Sequence, residues 1–157
     1  TIVSNSLVKE TINDSQFQPC GVDLTLKEAH EFTDAGKIDF DNKERKLSVA
    51  LELPFDEGGW VFLPQGAYKA QYNEAVKFPA HIAGITMQRS SLMRCGVFCP
   101  QGFYDPGYEG RGETLIVVQN PEGISLKKNA KIAQIIFYML CEESSSLYAG
   151  MHHKENI

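Results

Sequence analysis

Residues 113–141, ETLIVVQNPEGISLKKNAKIAQIIFYMLC, decide the fold. The stretch reads as three strands parted by two turns. An apolar run stops at Asn120–Gly123, a short strand stops at Lys128 and Asn129, and a long apolar strand follows. The same grammar extends towards the N-terminus. GVDLTL (21–26) alternates Val22, Leu24 and Leu26 against Asp23 and Thr25, the period of a strand with one buried face. LSVALELP (47–54) reads similarly, WVFLPQGAYKAQYNEAVKFP (60–79) is strand, Pro-x-Gly turn and strand, and HIAGITM (81–87) adds another. Helix is sparse, confined to residues 5–10 and one turn at Ser90–Arg94. Short strands with a turn about every 8–12 residues predict an all-β barrel or sandwich.

The remaining composition narrows the function. A chain of 157 residues without repeats or a linker is expected to be one domain, long enough to bury a sizeable core. It holds no apolar run approaching a membrane span, and TIVSNSLVKET lacks the pattern of a signal peptide. A cytoplasmic location is the default expectation. The net charge of −5 argues against a duplex nucleic acid partner, but an anionic small ligand remains open where cations gather locally. Cys20, Cys95, Cys99 and Cys141 read as structural thiols of a reducing compartment. Cys95 and Cys99 have no second pair at zinc spacing, and the adjacent His152 and His153 are poorly set to share an ion, so no metal cage is expected. The charged segment EFTDAGKIDFDNKERK (31–46) reads as a solvated loop or hairpin.

Three islands break the apolar alternation. In QPCGVDL (18–24), Asp23 points to the side opposite Val22 and Leu24, and an exposed strand carboxylate is the plain alternative. In QRSSLMRCG (88–96), Ser90 and Ser91 open a helical turn between Arg89 and Arg94. Cations, hydroxyl donors and free backbone N–H groups together suit phosphate, although a capped turn with surface arginines has the same composition. In GFYDPGYEG (102–110), glycines allow sharp turning and close approach, and Pro106 biases Asp105 towards an extended backbone. That would hold a carboxylate still, as a general base requires, and Tyr108 could lay a ring against something flat.

These islands, with KNAKIAQIIF (128–137) and in this order, resemble the motifs of the dUTPase/dCTP deaminase superfamily over residues 18–148. The resemblance implies a distorted β-barrel of jelly-roll type, assembled as a homotrimer with active sites between subunits. The DPGY turn and the double serine look like the deaminase branch and its archaeal and viral dUTPase relatives. By that resemblance Asp105 activates the water that attacks the α-phosphorus, and Tyr108 packs beneath the deoxyribose. The backbone of Gly102, Phe103 and Tyr104 reads the base edge. Arg89, Ser90, Ser91 and Arg94 cradle phosphates, and Gln134 lies near the nucleotide. Asp23 supports Mg²⁺ through its water shell or holds the phosphate site. Tyr148 and Lys154, in the tail SSSLYAGMHHKENI (144–157), are candidates to cover the nucleotide, making 148–157 a lid on a single 1–157 domain.

The strand after the DPGY turn chooses between two reactions. Deaminases of this superfamily carry a proton-shuttling glutamate there, but TLIVVQN (114–120) is acid-free. Ungapped counting puts Leu115 at the glutamate position, and two inserted residues would put Ile116 or Val117 there instead. An aliphatic side chain transfers no proton. Glu113 is the nearest carboxylate, displaced by about 7 Å along the strand. The expected activity is therefore hydrolysis of dUTP to dUMP and pyrophosphate, with Mg²⁺ held mainly by the triphosphate. The alternatives are dCTP deamination, alone or combined with hydrolysis, and a non-catalytic nucleotide-binding role.

Overall fold

A computed structural model describes residues 7–157. The chain forms β1 (Val8–Lys9), a 3₁₀ turn (Asp14–Gln16), β2 (Phe17–Gln18), β3 (Gly21–Phe32), β4 (Ala50–Leu53), β5 (Trp60–Leu63), β6 (Gly66–Tyr72) and β7 (Ala75–Lys77). Then follow β8 (Ile82–Gln88), α1 (Ser90–Arg94), β9 (Val97–Phe98), β10 (Gly102–Tyr104), β11 (Glu109–Gly110), β12 (Glu113–Val118), β13 (Ile124–Lys127) and β14 (Lys131–Met139). The main nine-stranded sheet runs β10-β8-β14-β3-β6-β12-β9, with β2 and β4 also paired to β3. Three strands, β1-β7-β11, make a second sheet, and β13-β5 a third. The architecture is a distorted antiparallel β-barrel of jelly-roll type.

Strand β3 is the spine. Its first half pairs with β14, from Val22↔Ile135 to Thr25↔Lys131, and its second half lies between β6 and β4. The register slips at Leu26/Glu28 against β6 and at Lys131/Ala133 against β14. Bulges of this kind bend a strand and increase its twist, which lets one strand serve both halves of the barrel. Leu24, Leu26, Leu63, Tyr72, Ile116, Ile132 and Ile135 fill the interior.

Alternation in GVDLTL implied one buried face, whereas every residue from Val22 to Leu26 is buried. The polar side is roofed by Gln16 and the corner between β6 and β7. Glu74, wholly buried, accepts hydrogen bonds from Thr25 N (2.8 Å), Thr25 Oγ1 (2.6 Å) and Gln16 Nε2 (2.7 Å). Gln16 Nε2 also donates to the Asp23 carbonyl at 2.8 Å. The carboxylate is thus satisfied by aligned donors, the condition for burying it. Of the helix expected over residues 5–10, Leu7 is helical, but the chain leaves the helix there, since Val8 and Lys9 pair with β7 as a strand. Asn5 and Ser6 lie outside the described residues. Segment 31–46 starts as the end of β3, then becomes a loop closed by reciprocal Lys37 and Lys46 backbone hydrogen bonds.

Candidate active site

Local chemistry builds the turn that carries Asp105. Tyr108 N donates to the Asp105 carbonyl at 3.1 Å, Pro106 sits second and Gly107 third with φ +87°. Pro then Gly with positive φ is the pattern of a type II turn. A Cβ on Gly107 would stand 2.7 Å from Leu147 Cβ, so the position needs glycine for space as well as for backbone angle. The Asp105 side chain is exposed at a cavity of about 170 Å³ shared with Gly102, Phe103, Tyr104, Tyr108, Gly112, Glu113, Tyr148, His152 and Glu155.

Aromatic packing fixes the floor of this cleft. Phe78 stacks on Tyr104 (5.6 Å between centroids), Tyr104 meets Tyr108 edge-on (5.2 Å), and Tyr108 meets Tyr148 edge-on (5.4 Å). Such pairs add about 0.5–1.5 kcal/mol each beyond their buried area. Burial pushes the Tyr104 phenol well above its ordinary value, and burial together with the Glu155 carboxylate does the same to Tyr108. Tyr108 therefore stays protonated and donates to Glu155 Oε1 at 2.9 Å. Gly112 lets the chain pass over Tyr104, whose hydroxyl lies 2.1 Å from where a Cβ would be. Strand β10 is the edge of its sheet, with Phe103 81% exposed, so its outer backbone groups face away from the sheet.

The phosphate-type residues line another pocket. Arg89 caps α1 without a side-chain capping bond. A cavity of about 240 Å³ is bounded by Gln18, Asp23, Met87, Gln88, Arg89, Ser90 and Gln134. Asp23 is wholly buried behind it. Its Oδ2 lies 2.6 Å from Arg89 Nη1 and 3.1 Å from Lys131 Nζ, and Gln134 Nε2 donates to Oδ1 at 3.4 Å. Both contacts to Oδ2 are ion pairs.

The structure thus gathers Asp105, Gly102, Phe103, Tyr104, Tyr108 and Tyr148 in one cleft, and Asp23, Arg89, Ser90 and Gln134 in another. No described residue lines both. The first carries the carboxylates of Asp105, Glu113 and Glu155; the second presents the Arg89 guanidinium. Ser91 and Arg94 are exposed on α1 beyond the lining of either cavity, as is Lys154, whose N–H donates to the Glu109 carbonyl at 2.6 Å. On β12, Ile116 and Val118 turn into the core. Leu115 is half-buried away from the Asp105 cleft, while Glu113 lines it and pairs with Lys69 Nζ at 2.9 Å. Among the described residues, no three or more His, Cys, Asp or Glu side chains converge as a metal cluster.

Sequence reading missed His152, Glu155 and Arg111. The first two lie in a tail without periodicity, and Arg111 reads as part of a loop insertion. The acid-glycine run EGRGE was the signal that an arginine there needed partners.

A family model described as dCTP deaminase-like matches residues 1–140. The probable deoxyuridine 5'-triphosphate nucleotidohydrolase of Methanosarcina mazei is 47% identical over 143 residues, covering 91% of this chain and 84% of the relative. The deoxyuridine 5'-triphosphate nucleotidohydrolase of Methanocaldococcus jannaschii is 35% identical over 144 residues, covering 91% and 90%. Among solved structures, the 2'-deoxycytidine 5'-triphosphate deaminase of Agrobacterium tumefaciens shares the fold, with a TM-score of 0.63 at 19% identity. That match covers 88% of this chain but 45% of the deaminase, so this chain spans less than half its length. With the family match running through the turn of Asp105, the pocket of Arg89 and strand β14, the chain belongs to the dCTP deaminase-like family.

Proposed function

We propose that this chain hydrolyses dUTP to dUMP and pyrophosphate. The observation that carries the reading is the pairing of an exposed, turn-held Asp105 with a following strand that offers only Leu115, Ile116 or Val117 where a deaminase needs a proton carrier. The names of the archaeal relatives support it. Asp105 takes a proton from water, whose oxygen bonds to the α-phosphorus. The bond from that phosphorus to the bridging oxygen breaks, and pyrophosphate leaves. Arg89, Ser90, Ser91 and Arg94 neutralise and align the phosphates, which is most of what such a reaction asks of a protein. Tyr108 lies under the sugar, the β10 edge reads the uracil imide, and Gln134 steadies the nucleotide.

Magnesium would be held mainly by the triphosphate and its own waters. When bound it would neutralise phosphate charge. Asp23 is sealed between Arg89 and Lys131, which suits holding Arg89 rather than contacting a metal's water shell. Residues 148–157 act as a cover, with Tyr148 in the Asp105 cleft, and Lys154 would turn in from its exposed position to meet the nucleotide.

The working unit is a homotrimer. The cleft with the base and the pocket with the phosphate-binding arginine are separate half-sites, and a neighbouring copy can complete each. A second reading, additional dCTP deamination, draws on Glu113 in the Asp105 cleft, but Lys69 holds that carboxylate as an acceptor. The test is a paired assay with Mg²⁺, dUTP in one tube and dCTP in the other. dUMP and pyrophosphate from dUTP alone support hydrolysis; conversion of dCTP would transfer the proton role to Glu113. Light scattering that returned a monomer would remove the trimer. Among the described residues, no helix is long and apolar enough to cross a membrane.

A further inference from the structure

Arg111 lies between β11 and β12 with only 8% of its surface exposed. A guanidinium so buried needs partners for its donors and charge. Glu10 supplies one, its Oε2 2.6 Å from Nη2. The remaining contacts come from the last residues of the chain. Arg111 Nε donates to the Asn156 carbonyl (3.1 Å), its backbone N–H donates to the Glu155 carbonyl (3.0 Å), and its own carbonyl accepts from Asn156 Nδ2 (3.1 Å). Asn156 holds φ +58°, a left-handed conformation that asparagine tolerates better than most residues. Beside it, Glu155 takes the Tyr108 hydroxyl and contacts His152 Nδ1 at 2.6 Å.

The tail has a second anchor. Tyr148 N donates to the Pro106 carbonyl at 2.8 Å, directly behind Asp105. Residues 149–153 therefore bridge two fixed points beside the Asp105 cleft, and His152 forms part of its wall. We propose that Arg111 is a positioning residue that clamps the far end of this segment at the cleft before any nucleotide arrives. Nucleotide entry then displaces a short span, residues 149–153, already held at both ends. The chain loses less conformational freedom on binding, and that saving appears as affinity. The role in affinity rests on the dUTP reading; the clamp itself does not.

The clamp is tested on the full chain without nucleotide, by trypsin cleavage after Lys154 followed by intact mass. The variants are Arg111→Ala, Arg111→Lys and Asn156→Gly, the last chosen because it is exposed and glycine accepts the left-handed backbone. Arg111→Ala should be cut about tenfold faster than the wild type, the scale of one charged hydrogen bond, and Asn156→Gly, which keeps the carbonyl that Arg111 Nε reaches and loses only the side-chain amide bonds, about threefold faster. Arg111→Lys keeps the charge without the planar fork and should fall between. In dUTP hydrolysis, KM should rise about tenfold with kcat within about threefold. Equal cleavage of wild type and variants overturns the clamp. Faster cleavage with unchanged KM overturns its role in binding. If Arg111→Ala melts below the assay temperature, the cleavage rate of Asn156→Gly against wild type decides. If the wild type does not hydrolyse dUTP, the proposed function fails while cleavage still decides the clamp.

Discussion

Asp23→Asn separates two roles for a buried acid. The substituted side chain keeps its size, so no cavity opens, but the charge facing Arg89 at 2.6 Å and Lys131 at 3.1 Å disappears. Removing one partner of a fully buried ion pair costs about 3–5 kcal/mol. Here Arg89 and Lys131 keep 36% and 32% of their side chains exposed, so water can recover much of their solvation. The loss should fall to about 1–2 kcal/mol, or a Tm drop of roughly 2–8 °C for a domain of this size. The effect on catalysis should be larger, because an unfastened Arg89 no longer presents its guanidinium in one place. Misplacement on that scale costs about 10² in kcat/KM. The assay is dUTP hydrolysis over a full Mg²⁺ titration, alongside a thermal melt. A loss that persists at saturating Mg²⁺ is expected. Activity within twofold of wild type, or a loss that excess Mg²⁺ abolishes, would refute the positioning role and return Asp23 to the metal's water shell.

Three further outcomes follow from the same geometry. Asp105→Asn should lower kcat by about 10²–10⁴ while leaving Tm essentially unchanged, because the side chain is exposed and the turn is made by its backbone and by Pro106 and Gly107; an active variant would remove Asp105 as the base. Gly107→Ala should destabilise by about 1–3 kcal/mol, since φ is +87° and the new methyl meets Leu147, and a melt indistinguishable from wild type would count against that turn. Burial pushes the Cys99 thiol from an ordinary 9.0 up to about 11, and raises the phenols of Tyr72 and Tyr104 from 10.0. These groups stay protonated in the fold while the unfolded chain ionises. Stability is therefore whole below about pH 9 and declines as pH climbs towards 11; a Tm that stays flat from about pH 8 to 10.5 would contradict it.

What could be read from the sequence was local. The strands of residues 113–141 and the Asp105 turn announce themselves through alternation, Pro and Gly, because those signals act over a few residues. The burial of Asp23 and Thr25 did not, because their roof comes from Gln16 and from Glu74 in the corner between β6 and β7. A polar residue on an alternating strand looks solvent-facing until a distant partner covers it. The same reason hid Arg111, whose partners sit at opposite ends of the chain. At residues 8 and 9, pairing with β7 outweighed local helical pattern. The separation of Asp105 and Arg89 into different cavities also lay beyond sequence, since motif order carries no information on which pocket a residue lines.

That separation has a genetic consequence. If each complete site draws Asp105 from one copy and Arg89 from its neighbour, a chain lacking the first and a chain lacking the second are both inactive alone yet can rescue each other. Unfolded together and reassembled in equal amounts, Asp105→Asn and Arg89→Ala chains would leave about a quarter of sites with both residues intact. A cell carrying the two defective alleles would keep a working enzyme that neither allele encodes.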